Sequence, residues 1–360
     1  MATPPGLERS VSLQQVADSA GVSLACASYA LRRSRKIPEA TRKRVLAAAE
    51  RLRYRPNPRF AALMAHIRRA HPIAVKESIA FVWVHTPRSE SARDPFLQRV
   101  YRGARERAEA LGFRLEQFWT DEPGMTDRRL SEVIKARGIV GVVFSPVMHE
   151  AEVTLDFEWD AFAPAVIGSA RWNPELHHAG HHHYLAMRLV LDKLAEAGCR
   201  RPLAIIDAET NERARRAMQA AFLVYHPEPA EAAALLLVGL PPDRPTLVRR
   251  LRESRTDALI VSGENIIDRM NALGVSPPEG APVVGLNYLR AKTIIGGIDD
   301  RFDLVAANAV DLVVSQLNSG ETGVPAIPRM LLFPGGWVEP ATSRAEPAAR
   351  RAAGARSSAR

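Results

Sequence analysis

Residues 12–54 read SLQQVADSAGVSLACASYALRRSRKIPEATRKRVLAAAERLRY, and no other stretch constrains the fold as tightly. Leu13, Val16, Ala17 and Ala20 fall at helical spacing, so a first helix has one apolar face. Ser12 is placed to cap it, with Gln15 three residues on completing a capping box. Gly21 stops it, because glycine enters the left-handed conformation that a sharp turn needs. Ser23 caps a second helix running to Leu31. Pro38 suits the first turn of a third helix through VLAAAERL. Helix, glycine turn, capped helix is the sequence form of a helix-turn-helix, whose second helix enters the major groove of DNA.

The charge distribution agrees. Residues 1–70 hold 14 Lys/Arg against 4 acids, a net +10, whereas the whole chain carries +9. The other 290 residues therefore sum to −1, and the basic excess sits at one end. Such a patch is the footprint of a polyanionic partner. A solvated basic surface is the alternative for charge alone. Arg32, Arg33, Arg35 and Lys36, just past the second helix, suit phosphate contacts that position a protein without reading sequence.

VSLQQVADSAGVSLACASYAL followed by IPEATRKRVLAAAERLRYRPN resembles the DNA-binding head of LacI/GalR transcription regulators, densely over residues 11–69 and more weakly to about residue 340. The resemblance implies an N-terminal all-α helix-turn-helix head (11–56) with a hinge helix (57–69). Behind them it implies an α/β two-lobed periplasmic-binding-protein-like (type I) effector domain over 77–340. It further implies a homodimer on a palindromic double-stranded DNA operator, controlled by a small-molecule effector, a carbohydrate or a derivative. Leu24, Ala25 and Tyr29 match base-contacting positions, and Ser23 and Ser28 match phosphate-facing ones. Family members often have arginine where Tyr29 stands. Arginine reads guanine with two bonds, which tyrosine cannot, so the usual operator is not expected.

The hinge also follows from the residues. In YRPNPRFAALMAHIRR, Asn57 is a helix cap and Pro58 takes the first helical position, with Arg59 beside it. Phe60, Leu63, Met64 and Ile67 share one face of a helix too short to be stable alone. The family's hinges push a leucine between base pairs in the minor groove, and Leu63 matches it. A helix that only packs on the core is the alternative.

Past the hinge, apolar runs such as SIAFVWV, IVGVVFSP, APAVIGS and RRPLAII alternate with amphipathic helical stretches such as PFLQRVYRGARERAEALGF. That rhythm predicts parallel sheets covered on both faces. About 265 residues exceed one core comfortably, so two lobes are expected. The family fold places crossovers near residues 172, 295 and 322, giving lobes of 77–172 plus 295–322 and 173–294 plus 323–340. Residues 341–360, ATSRAEPAARRAAGARSSAR, have too little apolar bulk to order and form a basic tail.

For the effector the resemblance points to Phe96, His182, Arg213 or the neighbouring Arg215, Glu264 and Asn287. Asn287 stands where aspartate is usual, and Gly263–Glu264 replace an asparagine–aspartate pair, so either the effector is not an ordinary sugar or the cleft is weakly used, leaving an effector-independent DNA binder as the alternative. The run His177, His178, His181, His182, His183 admits three readings: a polar surface or cleft-edge run, a pH sensor, or a metal site. No cysteine or acid stands at companion spacing, and no metal or cofactor is expected. Cys26 and Cys199 suit a reducing cytoplasm, with Cys26 a small packed residue. Residues 1–10 lack the apolar core of a leader, and no 18-residue apolar run spans a membrane. An enzyme is disfavoured because phosphate loop and nucleophile elbow are missing. A solute-binding protein is disfavoured by the basic head, and a sequence-blind architectural DNA binder remains open.

Overall fold

The computed structural model describes residues 11, 13–31, 37–52, 54, 77–262, 266–287 and 296–339. The head consists of three helices, Leu13–Ala20 (α1), Leu24–Leu31 (α2) and Glu39–Arg51 (α3). Their shared core is small: Val16, Ala17, Ala20, Ala27, Ala30, Val45, Ala48 and Ala49. Alanines let three short helices approach closely, and each contributes little burial on its own. Gly21 has φ +61°, and the N–H of Val22 donates to Ala17 O at 3.0 Å, closing α1 as expected. Ser23 Oγ accepts from the N–H of Cys26 at 3.2 Å, so the cap of α2 is in place. Pro38 stands one residue before α3, not in its first turn, with φ −53° and ψ 143°. Cys26 is half-buried, less enclosed than its expected packing role.

The remaining elements alternate strand and helix. They are Ser78–Trp83 (β1), Arg88–Arg93 (α4), Pro95–Ala110 (α5), Arg114–Trp119 (β2), Asp127–Ala136 (α6), Gly141–Phe144 (β3), Glu152–Thr154 (β4), Ala163–Ile167 (β5), Arg171–Asn173 (β6) and His177–His181 (β7). Next come His183–Glu196 (α7), Pro202–Ile206 (β8), Ala208–Arg213 (α8), Ala217–Tyr225 (α9), Leu236–Val238 (β9), Arg244–Ser254 (α10), Ala258–Ser262 (β10) and Ile266–Ala272 (α11). Val283–Gly285 (β11), Gly296–Asp299 (β12), Phe302–Ser319 (α12), Met330–Phe333 (β13) and Gly336–Val338 (β14) complete the described chain. The stretch between β3 and β5 contains β4 and a 3-10 turn at Trp159–Ala161.

Two sheets result. The first runs β2-β1-β3-β5-β7-β13, all parallel; the second runs β9-β8-β10-β11-β12-β14, parallel except for the β12–β14 pair. The apolar runs have a direct cause. In β1, Ile79, Phe81 and Trp83 belong to one cluster with Leu97, Val100, Val305 and Val313, while Ala80 and Val82 join another with Leu130, Ile134 and Phe144. Successive residues face opposite sides, and both sides are covered. Helix entry follows the usual chemistry: Asp94 Oδ1 accepts from the N–H groups of Phe96 (2.7 Å) and Leu97 (3.1 Å), with Pro95 in the first turn of α5.

The chain divides into two compact units. One comprises Met1–Tyr184, Ala208–Met218 and Asp300–Gly335; the other comprises Leu185–Asp207, Gln219–Asp299 and Gly336–Arg360. The chain changes unit near 184, 299 and 335, where 172, 295 and 322 were expected, and also lends Ala208–Met218 to the first unit, which was not expected. β7 and β13 pair with each other in the first sheet, so residues 177–181 and 330–333 belong there and not in the second lobe.

β7 also corrects the reading of the histidine run as a polar surface or cleft edge containing a loop. His177–His181 is a strand, and all five of its residues are buried. A neutral imidazole is largely apolar and tolerates such a place once its charge is removed. His177 Nδ1 accepts the N–H of Arg329 at 2.9 Å. Burial, with Arg215 nearby, lowers the pKa of His178 to about 4. Burial, with His183 and His182 adding to it, holds His181 well below its ordinary value.

α5 meets α12 at Gly103. A Cβ there would lie 2.2 Å from the carbonyl oxygen of Asp303. The seam is tied on both sides of that contact by Arg99–Asp303 and Arg107–Asp311, each at 2.8 Å. Gly103→Ala is therefore expected to destabilise the protein by about 1–3 kcal/mol, the cost of overpacking a tight contact, read as a lowered urea midpoint. A second expectation concerns acid. In the unfolded chain these histidines take up protons near pH 6.5, whereas folded His178 resists until about 4. Between those values the unfolded state binds more protons, so stability falls as pH falls. His178 alone accounts for about 3 kcal/mol at the acid end of that window. His178→Gln is expected to flatten the fall of unfolding free energy between pH 6.5 and 4, measured by urea titration.

Candidate functional site

In the head, α2 lies between a fixed turn and a fixed core. Ala27 and Ala30 are fully buried, and the Ser23 cap pins the start of the helix. Leu24, Ala25, Ser28 and Tyr29 stand on α2, but their side chains lie outside the described residues. Ser12, Arg32, Arg33, Arg35, Lys36, Asn57, Arg59, Leu63 and Glu264 lie outside them altogether. Arg51 donates from α3 to Ser19 Oγ, linking the last helix of the head to the first. Arg42, Lys43, Arg44 and Arg51 bring four cations to α3 against Glu39 and Glu50.

In the first unit the strands end in polar residues at the sheet's switch point, where β1 lies between β2 and β3. Open parallel sheets bind ligands at this edge. Val84 N–H donates to Ser145 Oγ at 3.0 Å, and His85 N–H donates to Thr120 Oγ1 at 2.9 Å. His85 has φ +46°, and its Nδ1 is 2.8 Å from Glu150 Oε1. None of these was singled out from sequence. The available signal was position alone: His85, Thr120 and Ser145 follow the carboxyl ends of β1, β2 and β3. Phe96 was singled out; it is 8% exposed and packs its ring edge-on against Phe302, centroids 4.8 Å apart.

At the far side of that sheet the same unit encloses a pocket of about 140 Å³. Ser169, His181, His182, His183, Tyr184 and Arg215 line it beside Met330 and Leu332, and most of the surface they expose to it is apolar. Ser169 Oγ and His183 Nε2 are 3.2 Å apart, and the His181 and His183 rings meet edge to face at 4.9 Å. Burial lowers the pKa of His183 to about 4, with Arg213 and His182 contributing. Arg213 donates to Thr210 Oγ1 at 3.0 Å, and Arg215 donates to Glu175 Oε1 at 3.2 Å. The structure thus brings His182 and Arg215 to one pocket, with Arg213 close enough to act on His183. Arg215 and Arg216 form a turn in which both have left-handed backbone, φ +52° and +58°. For residues other than glycine this costs roughly 1–2 kcal/mol each, and such strain concentrates at functional sites.

In the second unit, β8 lies at the corresponding switch point. Asp207 N–H donates to Ser262 O at 2.9 Å, and Ser262 Oγ donates to Asn287 Oδ1 at 3.3 Å. Asn287 therefore sits at the carboxyl edge of that sheet, as its place in the sequence implied, joined by Asp207 and Ser262, which sequence reading passed over. Among the described residues no group of three or more His, Cys, Asp or Glu side chains is arranged to hold a metal. None of the described helices is long and apolar enough to cross a membrane.

Residues 12–57 match the model of "Bacterial regulatory proteins, lacI family". The curated regulator DegA of Bacillus subtilis (strain 168), an HTH-type transcriptional regulator, is 25% identical over 134 residues, 37% of this chain and 36% of that protein. The chain thus aligns with little more than a third of that relative's length. Two solved structures share the fold at lower identity. The transcriptional regulator CelR in complex with cellobiose has a TM-score of 0.50 and 17% identity over 92% of this chain and 99% of that one. A LacI transcriptional regulator from a Rhodococcus species has a TM-score of 0.52 and 15% identity over 74% and 98%. Residues 12–57 thus carry the DNA-binding head of the lacI family of bacterial regulatory proteins, and the parallel-sheet units behind it share the fold of these solved structures.

Proposed function

We propose that this chain is a cytoplasmic transcription repressor that binds a palindromic operator as a homodimer and responds to a small molecule. One observation carries the reading: α2 is capped by Ser23 and anchored by Ala27 and Ala30. At 3.6 residues per turn, positions 25, 28 and 29 fall away from Ala27 and Ala30, on the arc a recognition helix turns to base edges, and position 24 falls at its flank. Arg32, Arg33, Arg35 and Lys36 follow it in sequence and supply phosphate contacts. Leu63 acts as the minor-groove wedge of the hinge. DegA's description as a transcriptional regulator supports this reading, and the cellobiose on CelR makes a carbohydrate or its derivative the first effector class to try. The pocket beside Arg215 and His182 in the first unit is the effector's place. No step of this account is enzymatic.

The test is footprinting with genomic or selected DNA. A discrete footprint with dyad symmetry is expected, and a continuous smear would favour an architectural protein. Affinity should fall steeply as salt rises, with a log–log slope of about 0.9 for each phosphate contacted. A flat response would remove the basic head from the interface. Leu63→Ala is expected to cost about 1–3 kcal/mol of operator binding and to reduce the DNA bend, leaving nonspecific affinity nearly unchanged. Gel mobility on permuted fragments, with titrations on operator and random DNA, checks all three.

A further inference from the structure

The first unit has a second pocket, at the edge of its sheet opposite the one that holds Ser145 and Thr120. β5 and β7 run parallel to β1, so His177, the first residue of β7, marks the amino edge. α12 runs back along the sheet and ends there: Gln316, in its last turn, reaches Pro164 O at the start of β5. The pocket has a volume of about 410 Å³ between His177, Gln316 and the loop from Ser319 to Ala326, and most of the surface exposed in it is polar. That volume lies within the range of small-molecule sites. The loop is pinned, with the N–H of Gly323 donating to Phe162 O at 2.8 Å and the N–H of Glu321 to Gln316 O at 3.0 Å.

Two buried side chains each present one unspent group here. His177 is 3% exposed, and its Nδ1 accepts the N–H of Arg329, so the neutral ring carries its proton on Nε2. Burial, with Arg329 adding to it, lowers the pKa of this ring and keeps it neutral. Gln316 is 2% exposed and spends its amide hydrogens on Pro164 O at 3.0 Å and Leu312 O at 3.1 Å, which leaves Oε1 as an acceptor. No described residue bonds to His177 Nε2 or Gln316 Oε1. Unlike the ring nitrogens of His178 and His181, neither atom is fully enclosed, so each opens on the pocket. Buried polar groups are normally paired, and here the partner must come from outside the chain.

The lining also selects the class of partner. No lysine or arginine lines the pocket, so nothing there clamps an anion. Its one carboxylate, Glu321, is 3.3 Å from the guanidinium of Arg329, which answers its charge. What remains is a neutral donor, a neutral acceptor and the hydroxyls of Ser319 and Thr322. A hydroxyl group complements all of these, because it donates and accepts at once. We propose that this pocket is a second small-molecule site, taking an uncharged polyol whose hydroxyls accept from His177 Nε2–H and donate to Gln316 Oε1. It shares no lining residue with the pocket beside Arg215 and stands whether or not an effector binds there.

The experiment uses the full chain, with sorbitol, myo-inositol and glucose as neutral probes and glucose 6-phosphate and glucosamine as charged ones. Calorimetry is the readout, because polyols raise melting temperatures merely by exclusion from protein surfaces. At least one neutral probe should bind, and more tightly than either charged one. His177→Phe, which removes the donor, should weaken that probe at least about tenfold. Ala326→Trp, at an exposed residue of the rim, should block the pocket and weaken it as much. This second variant leaves the core untouched, so it decides the matter if His177→Phe does not fold. Neutral binding unaltered by Ala326→Trp belongs elsewhere and overturns the proposal. So does a preference for a charged probe, and so does a failure of all three neutral probes to bind.

Discussion

The contact between Gly103 and the backbone of Asp303 is the constraint on which the first unit depends. α12 reaches this unit only after the chain has built most of the second one, and it must then pack across β3, β5 and β7. A side chain at position 103 would hold α12 away from α5 and open the cluster containing Phe81, Trp83, Val305 and Val313. Glycine inside a helix costs helical stability, roughly 1 kcal/mol against alanine. The close approach offsets that by burying the seam between two long helices, with Arg99 and Arg107 setting register through their carboxylate partners.

A second dependence links burial to charge. β7 places imidazoles where a parallel sheet normally has Val or Ile, and the protein accommodates them by keeping them unprotonated. The arginines of the turn at 213–216 reinforce this neutrality, because a cation close to an imidazole opposes a second positive charge. Strand, pocket and strained turn therefore act as one electrostatic unit.

Much of this was legible in the residues. The Gly21 turn, the Ser23 cap and the inward spacing of Val16, Ala17 and Ala20 mark the head, because local chemistry alone decides them. SIAFVWV and PLAII read as buried strands because an uninterrupted apolar run is what two covered faces demand. β7 was not legible: HHAGH has neither apolar continuity nor alternation, and only its neighbours β5 and β13 make it a strand. The exchange points were misplaced for the same reason, since assigning residues 177–181 and 330–333 requires knowing which strands they pair with. At the sites, arginines and Asn287 stood out by resemblance. Ser145, Thr120, Asp207 and Ser262 did not, because a serine or aspartate after a strand is ordinary until the sheet's switch point gives it a role.

The repeated exchange of chain between the units sets an order of events during synthesis. The head needs only residues 13–51 and can close as soon as they leave the ribosome, since its contacts are local. The first unit cannot: five strands of its large sheet emerge early, yet α12 and β13 are translated only after residue 300. Until then the edge of β7 and the face awaiting α12 stand open, while the second unit is still being made and lacks β14. Two half-built sheets must therefore coexist and be completed nearly together. The nascent protein passes through a long interval in which apolar surface is exposed, the period when chaperone capture or misassembly competes with folding.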